Sequence, residues 1–278
     1  LVFTAKDVGR EEAWSTDFDL YYVPADGSAG PRCLTEKNQA WDTTPAFSPD
    51  GKTLAYLAMS RPRYEADRFR IVLRGWPDGE ARVLTEAWDR SVASFCWTPD
   101  GTKLLASAPD MGQTSLFALD AATGKADTLV GQGTVAGFAP AGNGVVFERN
   151  DLRSPTEIYF IAPGAGEKAV TAVNAAKVAA ARMGDAEQYS FKGWNNETVH
   201  GYIVKPVDLD AAKKYPVAFL IHGGPQGSFG NDFHYRWNPQ AYAGAGYAVV
   251  MVDFHGSTGY GQAFCDSIRG DWGGKPLE

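Results

Sequence analysis

The stretch Tyr215-Pro216-Val217-Ala218-Phe219-Leu220-Ile221-His222-Gly223-Gly224-Pro225 decides the fold. Its apolar run has the length of a strand and reads as one buried on both faces, the kind used in parallel sheets. It breaks off at a polar residue and two glycines. Downstream, Pro239 to Gly246 opens on proline, continues with small residues and closes on glycine, which predicts a short helix. Tyr247 to Val252 is a second apolar run, leading into Asp253-Phe254-His255-Gly256-Ser257-Thr258-Gly259-Tyr260-Gly261. Strand, helix and strand in this order open a doubly wound α/β sheet, whose ligands bind outside the carboxyl ends of the strands. Both glycine-rich loops fall there. Upstream, Tyr189 to Val204 alternates around Asn195-Asn196 and reads as a hairpin.

The first two thirds follow a different rule. Phe47-Ser48-Pro49-Asp50-Gly51-Lys52 recurs as Trp97-Thr98-Pro99-Asp100-Gly101-Thr102 and, more loosely, as Phe138-Ala139-Pro140-Ala141-Gly142-Asn143. Each copy leads into a short apolar run. Proline fixes φ, aspartate bonds its own backbone and glycine takes positive φ, so each copy specifies a tight turn. Short strands with such turns, repeating about every 40 to 50 residues, are the signature of propeller blades. A β-sandwich with chance Pro-Asp-Gly turns is the competing reading, and the shared register of the two full copies argues against it. The repeat stops near Ala179 to Asp185. The expected architecture is the C-terminal blades of a partial β-propeller, residues 1–182, followed by the N-terminal part of an α/β-hydrolase domain, residues 183–278. Only three and a half blades are counted, so a chain truncated at both ends is expected.

The chemistry sits at Leu220 to Pro225. A strand followed by His-Gly-Gly resembles the oxyanion loop of α/β-hydrolase lipases, esterases and peptidases. Acyl transfer builds negative charge on a carbonyl oxygen, and backbone N–H groups aimed at it stabilise that charge. Gly224 is the candidate donor, Gly223 leaves room for substrate, and the second N–H is expected from the residue after a nucleophilic serine. His222 precedes any nucleophile, whereas this fold orders its triad Ser, acid, His; His222 is therefore read as bracing the loop. Ser257 lies outside a Gly-x-Ser-x-Gly context, and that motif occurs nowhere in the chain. The nucleophile and its triad Asp and His are absent from these residues. His200, His234 and His255 have no metal-type spacing, so neither a metal nor a cofactor is expected.

Composition bounds the rest. The chain has 278 residues, 44% of them hydrophobic and 21% charged, which is ordinary for globular domains. A net charge of −7, with no run of Lys or Arg, argues against a nucleic-acid partner. No apolar stretch approaches the roughly 20 residues of a membrane helix, so no membrane partner is expected. Cys33, Cys96 and Cys265 are scattered and odd in number, which argues against a disulfide framework.

Leu220 to Pro225, Tyr247 to Gly261 and the tail Gly270-Asp271-Trp272-Gly273-Gly274-Lys275-Pro276 together resemble the prolyl oligopeptidase family. Within it they are most similar to the acylaminoacyl peptidase and bacterial dipeptidyl peptidase V branch. The resemblance implies a propeller fused to a peptidase domain, cleavage of short peptides near their N-termini, and a triad following beyond Glu278, on the remainder of the polypeptide or a companion chain. A bacterial source, periplasmic or cytoplasmic, would fit. His255 stands where many relatives carry arginine. In an exopeptidase, Glu65 or Asp67, in the charged loop Arg61 to Phe69, could hold the substrate's amino terminus, although a solvated loop with internal ion pairs is the favoured reading. Tyr260 is a further candidate for substrate binding. The alternatives are an endo-acting oligopeptidase or esterase of the same fold, or a non-catalytic propeller that binds proteins.

Overall fold

The computed structural model describes residues 1–224 and 226–278; Pro225, the last residue of the His-Gly-Gly-Pro motif, lies outside the described residues. The chain forms two compact units, one of residues 1–108 and 117–127, the other of residues 109–116 and 128–278. Among the described residues, no helix is long and apolar enough to cross a membrane.

The first unit contains a four-stranded antiparallel meander: β1 (Asp42–Phe47), β2 (Thr53–Ala58), β3 (Arg70–Gly75) and β4 (Ala81–Val83). Leu57, Ile71 and Leu73 project from it into an apolar core shared with Leu104, Ala106 and Phe117. The Pro-Asp-Gly turns fold as their chemistry dictates. Ser48 Oγ donates to Asp50 Oδ1 at 2.6 Å and accepts from Thr53 N at 3.0 Å, while Gly51 sits at φ +69°. The second copy repeats this: Thr98 Oγ1 donates to Asp100 Oδ1 at 2.6 Å, accepts from Lys103 N at 3.1 Å, and Gly101 has φ +69°. Bonds from Thr98 and Thr102 hold the Asp100 carboxyl down at about 2.

The second unit joins a like meander, strands Thr134–Ala141, Gly144–Asp151, Ser154–Ile161 and Lys168–Ala169, to a mixed sheet. That sheet has β5 (Ala186–Lys192), β6 (Thr198–Val204), β7 (Val217–Leu220) and β8 (Ala248–Asp253) in the order β5-β6-β8-β7. β5 and β6 form the expected hairpin, with Lys192 opposite Thr198 and the turn made by Asn195 and Asn196 at φ 55° and 58°. Asparagine tolerates that left-handed region better than most residues. β7 runs parallel to β8, and the connection between them includes α1 (Pro239–Gly244). Asn238 caps this helix by accepting from Gln240 N at 2.8 Å, with Pro239 in the first turn. Val204, Val249 and Met251 bury against Leu152 and Ala243 to form the core beneath the sheet.

Within residues 1–278, β7 lies at the sheet's edge, with Val217 and Phe219 60% and 55% exposed.

Candidate functional site

β7 and β8 end side by side, so the loops that follow them meet. After β7 come His222 and the two glycines. His222 Nδ1 lies 2.9 Å from the carbonyl oxygen of Gly223. A carbonyl only accepts, so Nδ1 carries the hydrogen and Nε2 is left to accept from Ser257 Oγ at 2.8 Å. The ring stacks on Phe254 with centroids 4.4 Å apart and meets Phe229 edge-on. Its side chain is 7% exposed, so the imidazole works as a wedge between the loops.

This wedge orients a backbone group. In a trans peptide the C=O and N–H of one unit point in opposite directions. Drawing the Gly223 carbonyl onto His222 therefore turns the Gly224 N–H away from the ring. Gly224 itself has φ +132°, and a Cβ there would sit 2.5 Å from Gln226 N, so only glycine fits. A Cβ at Gly223 would meet nothing within 4 Å, which leaves open space in front of it.

Beneath the loops lies Asp253, the last residue of β8 and 2% exposed. Its Oδ2 accepts from Ser228 Oγ at 2.7 Å and Tyr260 OH at 2.6 Å, and its Oδ1 accepts from Phe229 N at 3.1 Å. Thr258 N donates to Gly227 O at 2.8 Å, stitching the two loops directly. Tyr260 is thus turned onto a buried carboxylate, with His200 stacked on its ring at 5.2 Å. Burial and then the Asp253 charge push the Tyr260 hydroxyl well up, so it stays protonated and donating. Burial lowers His200, against the pull of Asp253.

A second clasp holds the far end of the loop after β7. Gln113 Oε1 accepts from Asn231 Nδ2 at 3.0 Å and from Gly133 N at 2.7 Å, while its amide donates to Tyr202 OH. Asn231 N donates to Gly112 O at 2.7 Å, and Asn231 Oδ1 accepts from Leu152 N at 3.0 Å. A pocket of about 570 Å³ opens beside the loop, lined by Phe219, Ile221, His222, Phe229 and Trp237 among others.

The structure brings His222, Gly223, Gly224 and Tyr260 into this one neighbourhood. Asp67 belongs to the other unit and is occupied within its own loop. It is 4% exposed and accepts from Ser60 N at 2.7 Å, Arg61 N at 3.1 Å and Arg61 Nε at 2.8 Å. Burial alone would raise its carboxyl, but the Ser60 and Arg61 bonds hold it below the usual range. Glu65 is exposed. His255 is 1% exposed and bonded at 3.1 Å to Glu197, with Phe264 stacked on its ring. Among the described residues, no group of three or more His, Cys, Asp or Glu side chains could hold a metal ion. Sequence reasoning passed over Asp253, Ser228, Asn231 and Gln113. A charged residue closing an apolar strand was the one local signal for Asp253.

Residues 233–278 match the family model described as Prolyl oligopeptidase family. Over its whole length the chain is similar to a probable dipeptidyl-peptidase 5 of Aspergillus clavatus, with 36% identity. It is 34% identical to the dipeptidyl-peptidase 5 of Aspergillus fumigatus, again over the whole chain. It spans 40% and 41% of those two relatives' lengths. Among solved structures, an acylaminoacyl peptidase in complex with Z-Gly-Gly-Phe-chloromethyl ketone superposes with a TM-score of 0.79 at 23% identity, covering 94% of this chain and 39% of that one. A Mycobacterium tuberculosis puromycin-hydrolyzing peptidase gives 0.66 at 18% identity, covering 98% and 43%. The structural likeness carries the fold, and the sequence likeness runs through both glycine-rich loops, with residues 233–278 matching the prolyl oligopeptidase family.

Proposed function

We propose that this chain forms the oxyanion side of a serine exopeptidase of the dipeptidyl or acylaminoacyl type. Residues 1–182 are read as blades of a β-propeller and residues 183–278 as the first part of an α/β-hydrolase domain. The four-stranded antiparallel meander and the two turns closed alike at Ser48–Asp50 and Thr98–Asp100 support the propeller, and the order β5-β6-β8-β7 with a parallel β7–β8 pair supports the hydrolase. One observation carries the function: a Gly224 amide turned away from the His222 ring, at the carboxyl end of a parallel strand, by a carbonyl held 2.9 Å from that ring.

In the proposed reaction a serine hydroxyl attacks the scissile carbonyl. The carbonyl oxygen takes up the electron pair, and the Gly224 N–H receives the resulting charge together with the amide following that serine. Collapse expels the amine and leaves an acyl-enzyme, which water hydrolyses. The serine, acid and base would come from outside residues 1–278, since no Gly-x-Ser-x-Gly occurs within them. Short peptides cleaved near the N-terminus are the proposed substrates. Of the two carboxylates considered for the substrate's amino terminus, Glu65 has the exposure the role needs.

The test is fluorophosphonate labelling of the natural-length polypeptide, with dipeptidyl and acylaminoacyl p-nitroanilides assayed alongside. Labelling outside residues 1–278 with release of p-nitroaniline is expected, and the 278-residue chain alone should hydrolyse nothing. A natural-length protein that neither labels nor turns over either substrate class would overturn the reading.

A further inference from the structure

We propose that Asp253 is the positioning residue of the oxyanion loop, a buried carboxylate that clamps the loop after β7 to the loop after β8 and so aims the Gly224 amide. The inference rests on the peptidase reading above and adds to it the group that sets the geometry. A carboxylate has only acceptors, and Asp253 directs both oxygens into the loops. Oδ1 receives Phe229 N at 3.1 Å and lies 3.7 Å from His222 Nε2, and Oδ2 receives Ser228 Oγ at 2.7 Å and Tyr260 OH at 2.6 Å.

The donors arrive from two directions. Ser228 and Phe229 fix the return of the glycine turn. Tyr260 fixes the second loop, whose Thr258 N holds Gly227 O and whose Ser257 Oγ holds His222 Nε2. Gly227 packs so closely that a Cβ on it would lie 3.0 Å from Gly223 O. Movement of residues 226–229 is therefore transmitted straight to the peptide that carries the Gly224 N–H. Asp253 is held in its turn by the sheet: it ends β8 opposite His200 of β6, so the clamp is anchored to a strand rather than to another loop. Oxyanion stabilisation needs donors placed within a few tenths of an ångström, and a misplacement of about 1 Å costs on the order of a hundredfold in rate.

The experiment uses the natural-length polypeptide as wild type and as Asp253→Ala, Asp253→Asn and Ser228→Ala. Hydrogen exchange is followed in peptides covering 222–231 and 254–261, and kcat and KM are measured on a p-nitroanilide. Asp253→Ala should accelerate exchange in both loops at least tenfold and lower kcat about a hundredfold with KM within about threefold. Asp253→Asn should recover most of both, because the Ser228 and Tyr260 hydroxyls can accept from its amide while its oxygen keeps Phe229 N. Ser228→Ala removes one donor, leaves the fold intact and should fall between. Exchange that is unchanged in Asp253→Ala or in Ser228→Ala overturns the proposal, as does a rise in KM with kcat preserved. A wild type without turnover strikes the peptidase reading alone, because the exchange measurement decides the clamp without it.

Discussion

Asp42 is 1% exposed in the first unit, on β1, where Asn38 Nδ2 donates to its Oδ2 at 3.0 Å. Burial, reinforced by the charges of Asp19 and Asp17, pushes its carboxyl from 3.8 to about 8, against bonds from Asn38 and Thr35. The consequence for stability follows from proton linkage. Between those two values the unfolded chain has released the proton and the folded chain has kept it, so stability falls as pH rises. Each pH unit in that window costs about 1.4 kcal/mol, which amounts to about 4 kcal/mol at pH 7. Asp42→Asn removes the titration while its carbonyl can still accept from Asn38. The variant should match wild type near pH 4 and exceed it progressively up to about pH 8. At about 2–4 °C per kcal/mol for a chain of this size, its Tm advantage should reach about 10 °C at neutral pH. Thermal denaturation by circular dichroism at half-unit pH steps reads this directly. An advantage that is equal at pH 4 and pH 8 would refute the assignment of a protonated, buried Asp42.

Three further outcomes are expected. Gly224→Ala forces a side chain into φ +132° and 2.5 Å from Gln226 N, so the turn must shift and kcat of the natural-length enzyme should fall about 10²–10³-fold in the p-nitroanilide assay. Gln113→Ala strands the Gly133 N–H and the Asn231 side-chain amide together, while the Tyr202 hydroxyl keeps Gly112 O, and urea titration should show a loss of about 1–3 kcal/mol for the second unit. Asp67→Asn should cost about 1.5–3 kcal/mol at pH 7. Because the folded Asp67 carboxyl is depressed, that stability is present above the unfolded value of 3.8 and is lost as pH falls through the folded one, so the variant and wild type should converge in acid.

What could be read from the sequence was what local chemistry enforces. Ser48 with Asp50 and Thr98 with Asp100 close their turns within five residues, and the turn at Asn195-Asn196 needs only those two left-handed asparagines. The strand–helix–strand order and the position of His222-Gly223-Gly224 at a strand's end were likewise local. The pairing of loops was not. Asp253 reaches Ser228 across 25 residues and His222 reaches Ser257 across 35, distances at which composition and periodicity carry no register. Tyr260 was a candidate for substrate binding, and its bond to the carboxylate of Asp253 seven residues back was not foreseen. Asp67 was legible in part: Arg61 and Ser60 lie six and seven residues away, close enough for a charged loop to satisfy itself.

Geometry alone has its own trap at this site. Ser257, His222 and Asp253 lie in one cluster, with Ser257 Oγ 2.8 Å and Asp253 Oδ1 3.7 Å from the imidazole, and three such residue types together invite reading as a triad. The chemistry forbids it. A triad base takes the serine proton on one ring nitrogen while the acid holds the other, but here Ser257 and Asp253 approach the same Nε2, and Nδ1 is committed to the Gly223 carbonyl. Asp253 is in any case already accepting from three donors. Ser257 is 0% exposed, and its amide donates to Phe254 O at 2.9 Å, so its hydroxyl has no path to a substrate carbonyl. The same atoms make sense as a brace: the hydroxyl donates to Nε2, fixes the tautomer, and the fixed Nδ1–H holds Gly223. Ser257→Ala should therefore leave fluorophosphonate labelling of the natural-length enzyme in place. It should weaken turnover by about fivefold, as expected for the loss of one bond worth about 1 kcal/mol in a loop that must hold its geometry. Abolished labelling in a folded Ser257→Ala protein would make Ser257 the nucleophile and would require the buried hydroxyl to swing out of the contact that now defines the loop.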